Sequence, residues 1–260
     1  MGDKTIPLGE VYKYNLKKAY LKNLIQIMGF LDLHSHIRWM AIKRYINKTN
    51  RNAEIGSGWG LMAFEFVKVT SESIVCIEKD PNLIKLGETL SKRIGTNKII
   101  FIIDSLPKLV KLKEKTYDQI LLIDVLEHVT EDLESLIRIN SLLKIGGTII
   151  ISVPTPNYPK YFGRKFANAI GHVRDGYSIK EISALFESTG FKIIKWSYHT
   201  NFLSSHLCKL WYYYNLPSKL KIILFPFFRL LILLDFVGKG INSCGIAVKA
   251  IKVRDLRAGG

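Results

Sequence analysis

Between Asn52 and Val153 short β-branched runs alternate with stretches of helical spacing, and that alternation restricts the fold more than any other feature. The runs are Asn52–Ile55, Ser73–Ile77, Lys98–Ile103, Tyr117–Ile123 and Thr148–Val153. Helical spacing fills about Gly60–Val67, Asn82–Ile94 and Glu131–Leu143, with Thr130 as a cap for the last of these and Gly146-Gly147 as its end. Such alternation predicts a parallel sheet covered by helices on both faces. A further helix, about Ile179–Ser188, follows Ser178 as its cap and is closed by Gly190. Phe191–Tyr198 then reads as a sixth strand and Gly245–Val253 as the last. Upstream, helices are expected over Leu8 to about Phe30 and over roughly Ile37–Ile46.

The run Ala53-Glu54-Ile55-Gly56-Ser57-Gly58-Trp59-Gly60 leaves the first strand and opens a helix. Glycines there let the backbone bend sharply and let a ligand approach closely. A dinucleotide site would need a third glycine at position 61, which is Leu61. Glu54 beside the turn would repel a pyrophosphate and suits a ligand with a cationic amino group. Glu78 ends the second strand, where an acid commonly accepts hydrogen bonds from a ribose diol. Asp104-Ser105 end the third strand and Asp124 the fourth, so acids fall at the carboxyl ends of four consecutive strands. Open α/β sheets bind ligands along that edge.

These residues, with Asp124-Val125-Leu126-Glu127-His128 and Leu142-Leu143-Lys144-Ile145-Gly146-Gly147, resemble class I S-adenosylmethionine-dependent methyltransferases over about Arg51–Tyr198. The resemblance is to small-molecule and ubiquinone-type members. It implies a Rossmann-like α/β fold: a seven-stranded, mostly parallel sheet of order 3-2-1-4-5-7-6 with strand 7 antiparallel and helices on both faces. It implies that Gly56 and Gly58 approach the methionine moiety of S-adenosyl-L-methionine, that Glu78 holds the ribose, and that Asp104, Ser105 and Leu106 face the adenine. Glu54, Ser57, Lys79 and Asp124 complete the expected cofactor-binding set. Methyl transfer to a hydroxyl needs a proton acceptor, and the candidates are His172, His128 and Tyr177. His172 and Tyr177 lie in Gly171–Ser178, which resembles the substrate-side loop of small-molecule members. Asp124-x-x-Glu127-His128 also resembles a divalent-metal site of ubiquinone-type O-methyltransferases, and its oxygen ligands suit a hard cation. The same five residues are common without metal, and no metal is assigned.

The formal charge of +16 invites a nucleic-acid partner, so its distribution matters. Residues 1–50 carry 9 basic and 3 acidic residues, 51–150 carry 13 and 14, and 151–260 carry 16 and 5. The cofactor half is neutral, and the basic C-terminal half is also the most apolar and aromatic, unlike a nucleic-acid groove. An Asn/Asp-Pro-Pro-aromatic motif after the fourth strand and a Pro-Cys nucleophile are both missing. The acceptor is therefore expected to be a small or lipid-linked molecule, methylated at oxygen, with RNA methylation or a non-catalytic cofactor-binding partner as alternatives. Three widely spaced cysteines, Cys76, Cys208 and Cys244, argue against a disulfide scaffold and for a reducing, cytoplasmic compartment. Met1–Tyr20 has no apolar core of the kind a secretory signal carries. The chain divides into an N-terminal helical cap (1–50), a methyltransferase domain (51–253) and a tail (254–260). An apolar helical insertion occupies about 202–240. Within it, Trp211–Tyr214 and nearby lysines suit contact with a membrane surface, so the protein is expected to be peripheral there, with its oligomeric state open. A buried helix or a dimer interface are the competing readings of this block.

Overall fold

The computed structural model describes residues 32–213, 218–235 and 242–256. Its strands are β1 (Asn52–Ile55), β2 (Ile74–Glu78), β3 (Ile99–Ile103), β4 (Tyr117–Ile123), β5 (Leu143–Pro154), β6 (Phe191–His199) and β7 (Gly245–Lys252). They form one sheet of order β3-β2-β1-β4-β5-β7-β6, in which β7 runs antiparallel to both neighbours. Parallel register sets Ile55 beside Ile77 and Leu122, so the carboxyl ends of β1, β2 and β4 finish together.

Side chains alternate across each strand, and this period of two builds two cores. On one face Ile55, Ile77, Leu122 and Ile151 pack against α4 (Asp132–Leu142) and α7 (Ile179–Ser188) through Leu136, Ile139, Ile182 and Phe186. On the other, Cys76, Leu121, Ile123 and Ile150 meet α1 (Leu33–Ile42) and α2 (Leu61–Thr70) through Trp39, Ile42, Met62 and Phe66. The same face carries α3 (Pro81–Ile94), whose Leu90 joins that core. Two short helices absent from the sequence expectations, α5 (Tyr158–Phe162) and α6 (Arg164–Ala169), follow β5.

Several boundaries differ from expectation. The cap of α4 is Glu131, without a side-chain bond, and Thr130 instead lines the edge cavity described below. Gly146 and Gly147 fall inside β5, because pairing with β4 already starts at Leu143 opposite Tyr117. Ser178 does cap α7, through a reciprocal box with Glu181. The expected Leu8–Phe30 helix lies outside the described residues.

The insertion forms a helical hairpin of α8 (Phe202–Tyr213) and α9 (Ser218–Asp235). Its ends are tied where Asp235 accepts hydrogen bonds from the Leu203 and Ser204 backbone amides, a carboxylate on a helix N-terminus. Leu207, Trp211, Phe225, Phe228 and Ile232 pack with Leu33 and Ile37 of α1 as a separate core. Trp211 is therefore not an interfacial anchor: its ring is buried, 5.7 Å from Phe225 and 5.8 Å from Phe228. Tyr214 lies outside the described residues. No described helix is long and apolar enough to cross a membrane.

Candidate functional site

The turn after β1 is held by its backbone. Gly56 and Ser57 donate their amides to the Ile77 carbonyl at 2.8 and 3.0 Å, which bends the chain across the end of β2. Gly56 adopts φ +70° and Gly58 φ +56°, a left-handed conformation that costs other residues about 1–2 kcal/mol. A side chain at Gly56 would also strike Val125, at 2.5 Å from Cγ2, whereas one at Gly58 would meet nothing within 4 Å.

Below the turn the carboxylates act as receivers of backbone N–H groups. Glu78 accepts from Gly58 at 3.0 Å on one oxygen and from Lys79 and Asp80 at 2.9 and 3.1 Å on the other. Asp104 accepts from Ser105 at 2.8 Å and from Lys111 at 2.7 Å, folding the segment after β3 back on itself. Arg138 of α4 clamps that segment by donating to the carbonyls of Lys108, Leu109 and Leu112 at 2.8–3.0 Å. Along this edge opens a cavity of about 460 Å³, with Gly56, Glu78, Asp104 and Leu106 on one side and Asp124, Val125, His128 and Gly171 on the other. Lys79 and Ser105 also line it. Paired acids at the ends of β2 and β3, apolar Ile77 and Leu106 beside them, and a side-chain-free Gly56 suit a nucleoside carrying a cationic sulfur. Those residues would hold S-adenosyl-L-methionine, as the sequence resemblance implies.

Glu54 does not line this cavity. Strand alternation turns it to the face of Cys76 and Leu121, its register partners, where it accepts from the Ala63 amide in the first turn of α2. Burial there raises its pKa to about 8. It supports the loop from beneath rather than meeting a ligand amine. Ser57 and Gly58 belong to the same turn but are also not among the cavity-lining residues.

The acceptor side gathers around Asp124, whose backbone is left-handed at φ +53°. Such strain in a non-glycine residue persists where the surroundings hold it, and it clusters at functional sites. Arg38 of α1 forms an ion pair with Asp124 Oδ2, and Ser152 donates to Oδ1 at 3.1 Å. Behind Ser152 stands His199, with Nε2 at 3.1 Å from the serine oxygen and Nδ1 at 2.9 Å from Thr200 Oγ1. Burial lowers the pKa of His199 to about 3, so the ring is neutral. A neutral ring that donates through Nε2 and accepts at Nδ1 gives one directed chain from Thr200 to Asp124. Arg38, Ser152 and His199 carry no sequence signal for this role: they come from three elements that only the topology joins.

Beside Asp124, Glu127 is buried with neither carboxyl oxygen hydrogen-bonded, and burial drives its pKa well above the usual range. His128 Nδ1 donates to the Gly171 carbonyl at 3.0 Å, and its Nε2 stands 4.0 Å from Glu127. His172 stacks edge-on against His128 at 4.9 Å, and its Nδ1 is buried without a partner. One atom each from Glu127, His128 and His172 lies within 4.8 Å of the others. The trio holds three buried atoms without partners, Glu127 Oε1 and Oε2 and His172 Nδ1, so a shared proton or a divalent cation would satisfy it. Its third member is His172 and not Asp124, whose oxygens are already engaged. His172 does not line the cavity itself but stands behind His128. Burial lowers its pKa to about 4. Tyr177 is removed from the site: its ring is core, and its hydroxyl lies 3.0 Å from Asp132 and 3.2 Å from the Leu126 carbonyl. It serves as a strut, not as a proton acceptor.

Residues 53–151 match the family model for a methyltransferase domain. No curated protein sequence matches the chain significantly. Among solved structures, phosphoethanolamine N-methyltransferase 2 of Haemonchus contortus, in complex with S-adenosyl-L-methionine, is similar with a TM-score of 0.62 at 13% identity. That match covers 98% of this chain but only 62% of the nematode protein. An S-adenosylmethionine dependent methyltransferase from Mesorhizobium loti is similar with a TM-score of 0.59 at 15% identity, over 85% of this chain and all of that one. The cyclase SpnF is similar with a TM-score of 0.57 at 14% identity, over 84% of this chain and 80% of its own. Likeness at such identities is one of fold, and one fold hosts more than one chemistry. Residues 53–151 thus match a methyltransferase domain, and the strand order around them is the fold of the solved S-adenosylmethionine-dependent methyltransferases to which the chain is similar.

Proposed function

We propose that the protein moves a methyl group from S-adenosyl-L-methionine to a hydroxyl oxygen of a small-molecule or lipid-linked acceptor. The observation that carries this reading is the continuity of one cavity from Glu78 and Asp104 to His128. When bound, the cofactor supplies a methyl carbon already attached to a positively charged sulfur leaving group. Glu78 and Asp104 orient the nucleoside end, and Gly56 leaves room for the sulfur end. Much of the acceleration then comes from positioning. His128, fixed by Gly171, lines the acceptor side of the cavity, and His172 stands in edge contact behind it. The acceptor hydroxyl passes its proton to this imidazole pair as the oxygen–carbon bond forms. The lowered pKa of His172 keeps that ring neutral at neutral pH, as a base must be. The phosphoethanolamine enzyme named above supports a small acceptor, although its target atom is nitrogen by name.

The test is transfer of labelled methyl from the cofactor into a fractionated cell extract. Label entering lipid or small metabolites is expected. Label entering only RNA, or a product methylated at nitrogen, would replace this reading.

A further inference from the structure

From the outer face of α9 we infer a second surface, one that rests on an anionic lipid bilayer. The helix turns Phe225, Phe228 and Ile232 inward to Trp211 and α1. The opposite arc carries Leu220, Ile223, Pro226, Phe227, Leu230, Leu233 and Leu234, every one exposed. At 100° per residue these seven positions span about 140° of the helix circumference, and from Leu220 onward every residue on that arc is apolar. Ile223 is 71% exposed, Leu230 62% and Leu234 66%, so the arc is not a core face seen obliquely. Soluble surfaces rarely leave so continuous an apolar strip uncovered.

The chemistry around the strip chooses its occupant. The hairpin's cations are Lys209, Lys219, Lys221 and Arg229. Arg229 borders the strip, half-buried over the Phe225 ring at 5.8 Å, and Lys221 lies over the Trp211 ring at 5.6 Å on the covered side. Lys209 of α8 is exposed on the same hairpin. The hairpin's one acid among the described residues, Asp235, is spent on the N-terminus of α8. A bilayer asks only for an apolar face flanked by cations, and it repays both. Pro226 and the flanking cations keep the helix lying in the surface rather than across it. The Trp211–Tyr214 belt expected from the sequence is replaced by this face.

The experiment is flotation of the full chain with vesicles of phosphatidylcholine and phosphatidylglycerol, beside vesicles of phosphatidylcholine alone. The wild type is expected to float with the anionic vesicles and much less with the neutral ones. The variant Ile223→Ser/Phe227→Ser/Leu230→Ser should stay at the bottom while its thermal melt and cofactor titration remain those of the wild type. Phe227→Ser alone, at a side chain 56% exposed, should float partially and covers the case in which the triple variant misfolds. Equal flotation of wild type and variants overturns the inference, as does a wild type that never floats. A wild type that sediments as a dimer and becomes monomeric in the triple variant assigns the strip to a second copy instead. Cofactor binding is read separately, so failure here and failure of the methyltransferase reading are distinguishable.

Discussion

Replacing Gly56 and Gly58 in turn separates backbone strain from steric overlap in the cofactor turn. Both residues have positive φ, so either alanine variant loses about 1–2 kcal/mol to the left-handed conformation. Only Gly56→Ala also drives a methyl group to 2.5 Å from Val125 Cγ2. Overpacking of that kind costs about 1–3 kcal/mol more. Gly58→Ala should therefore cost about 1–2 kcal/mol and Gly56→Ala about 2–5 kcal/mol. Urea unfolding of both variants measures the difference, with m-values checked for two-state behaviour. The extra loss should disappear when Val125 is also replaced by alanine, giving a coupling of about 1–3 kcal/mol in a double-mutant cycle. Equal losses at the two glycines, or no coupling to Val125, would refute the packing argument.

Three further outcomes are expected. Glu54 has a pKa raised to about 8, so the folded state holds a proton that the unfolded state releases near pH 4.3; its stabilising share is full below that pH and is lost as pH rises to about 8. Glu54→Gln should flatten that decline in a pH series of thermal melts, and an unchanged slope would show that the carboxyl titrates normally. Arg38→Met strands the Asp124 carboxylate and should cost about 3 kcal/mol, the low end for a buried pair, since the two side chains keep 20% and 16% exposure. A loss below about 1 kcal/mol, the range of a surface pair, would contradict it. His172→Ala should lower turnover by about 10²–10⁴-fold with little change in cofactor affinity. In the wild type the limb on which activity falls with acid should lie near pH 4, because His172 becomes protonated only there; a limb well above that pH would take His172 out of the proton-accepting role.

What the sequence revealed follows the reach of its signals. The seven-stranded order was implied by the family resemblance, and the acids at Glu78, Asp104 and Asp124 were legible because strand ends, in a parallel sheet, necessarily face one edge. Glu54 was placed on that edge too, although alternation with Ala53 and Ile55 already pointed it to the other face of the sheet. The Arg38 pair was not legible, since α1 gives no hint of its position before the fold closes over β4. The same holds for His199, which reaches Ser152 only because β7 slots between β5 and β6 and brings β6 across. Hydrophobicity located the insertion, but it could not say which side of α9 would be covered. That choice was made by α1, through Leu33 and Ile37.

The central claim is that the acid-lined edge holds S-adenosyl-L-methionine, and calorimetric titration of the cofactor into wild type and Glu78→Ala tests it most directly. Glu78 offers charge-assisted hydrogen bonds of about 1.5–3 kcal/mol, so the variant should bind about 10- to 100-fold more weakly while remaining folded. No heat of binding in the wild type, or equal affinity in the two proteins, would contradict the account.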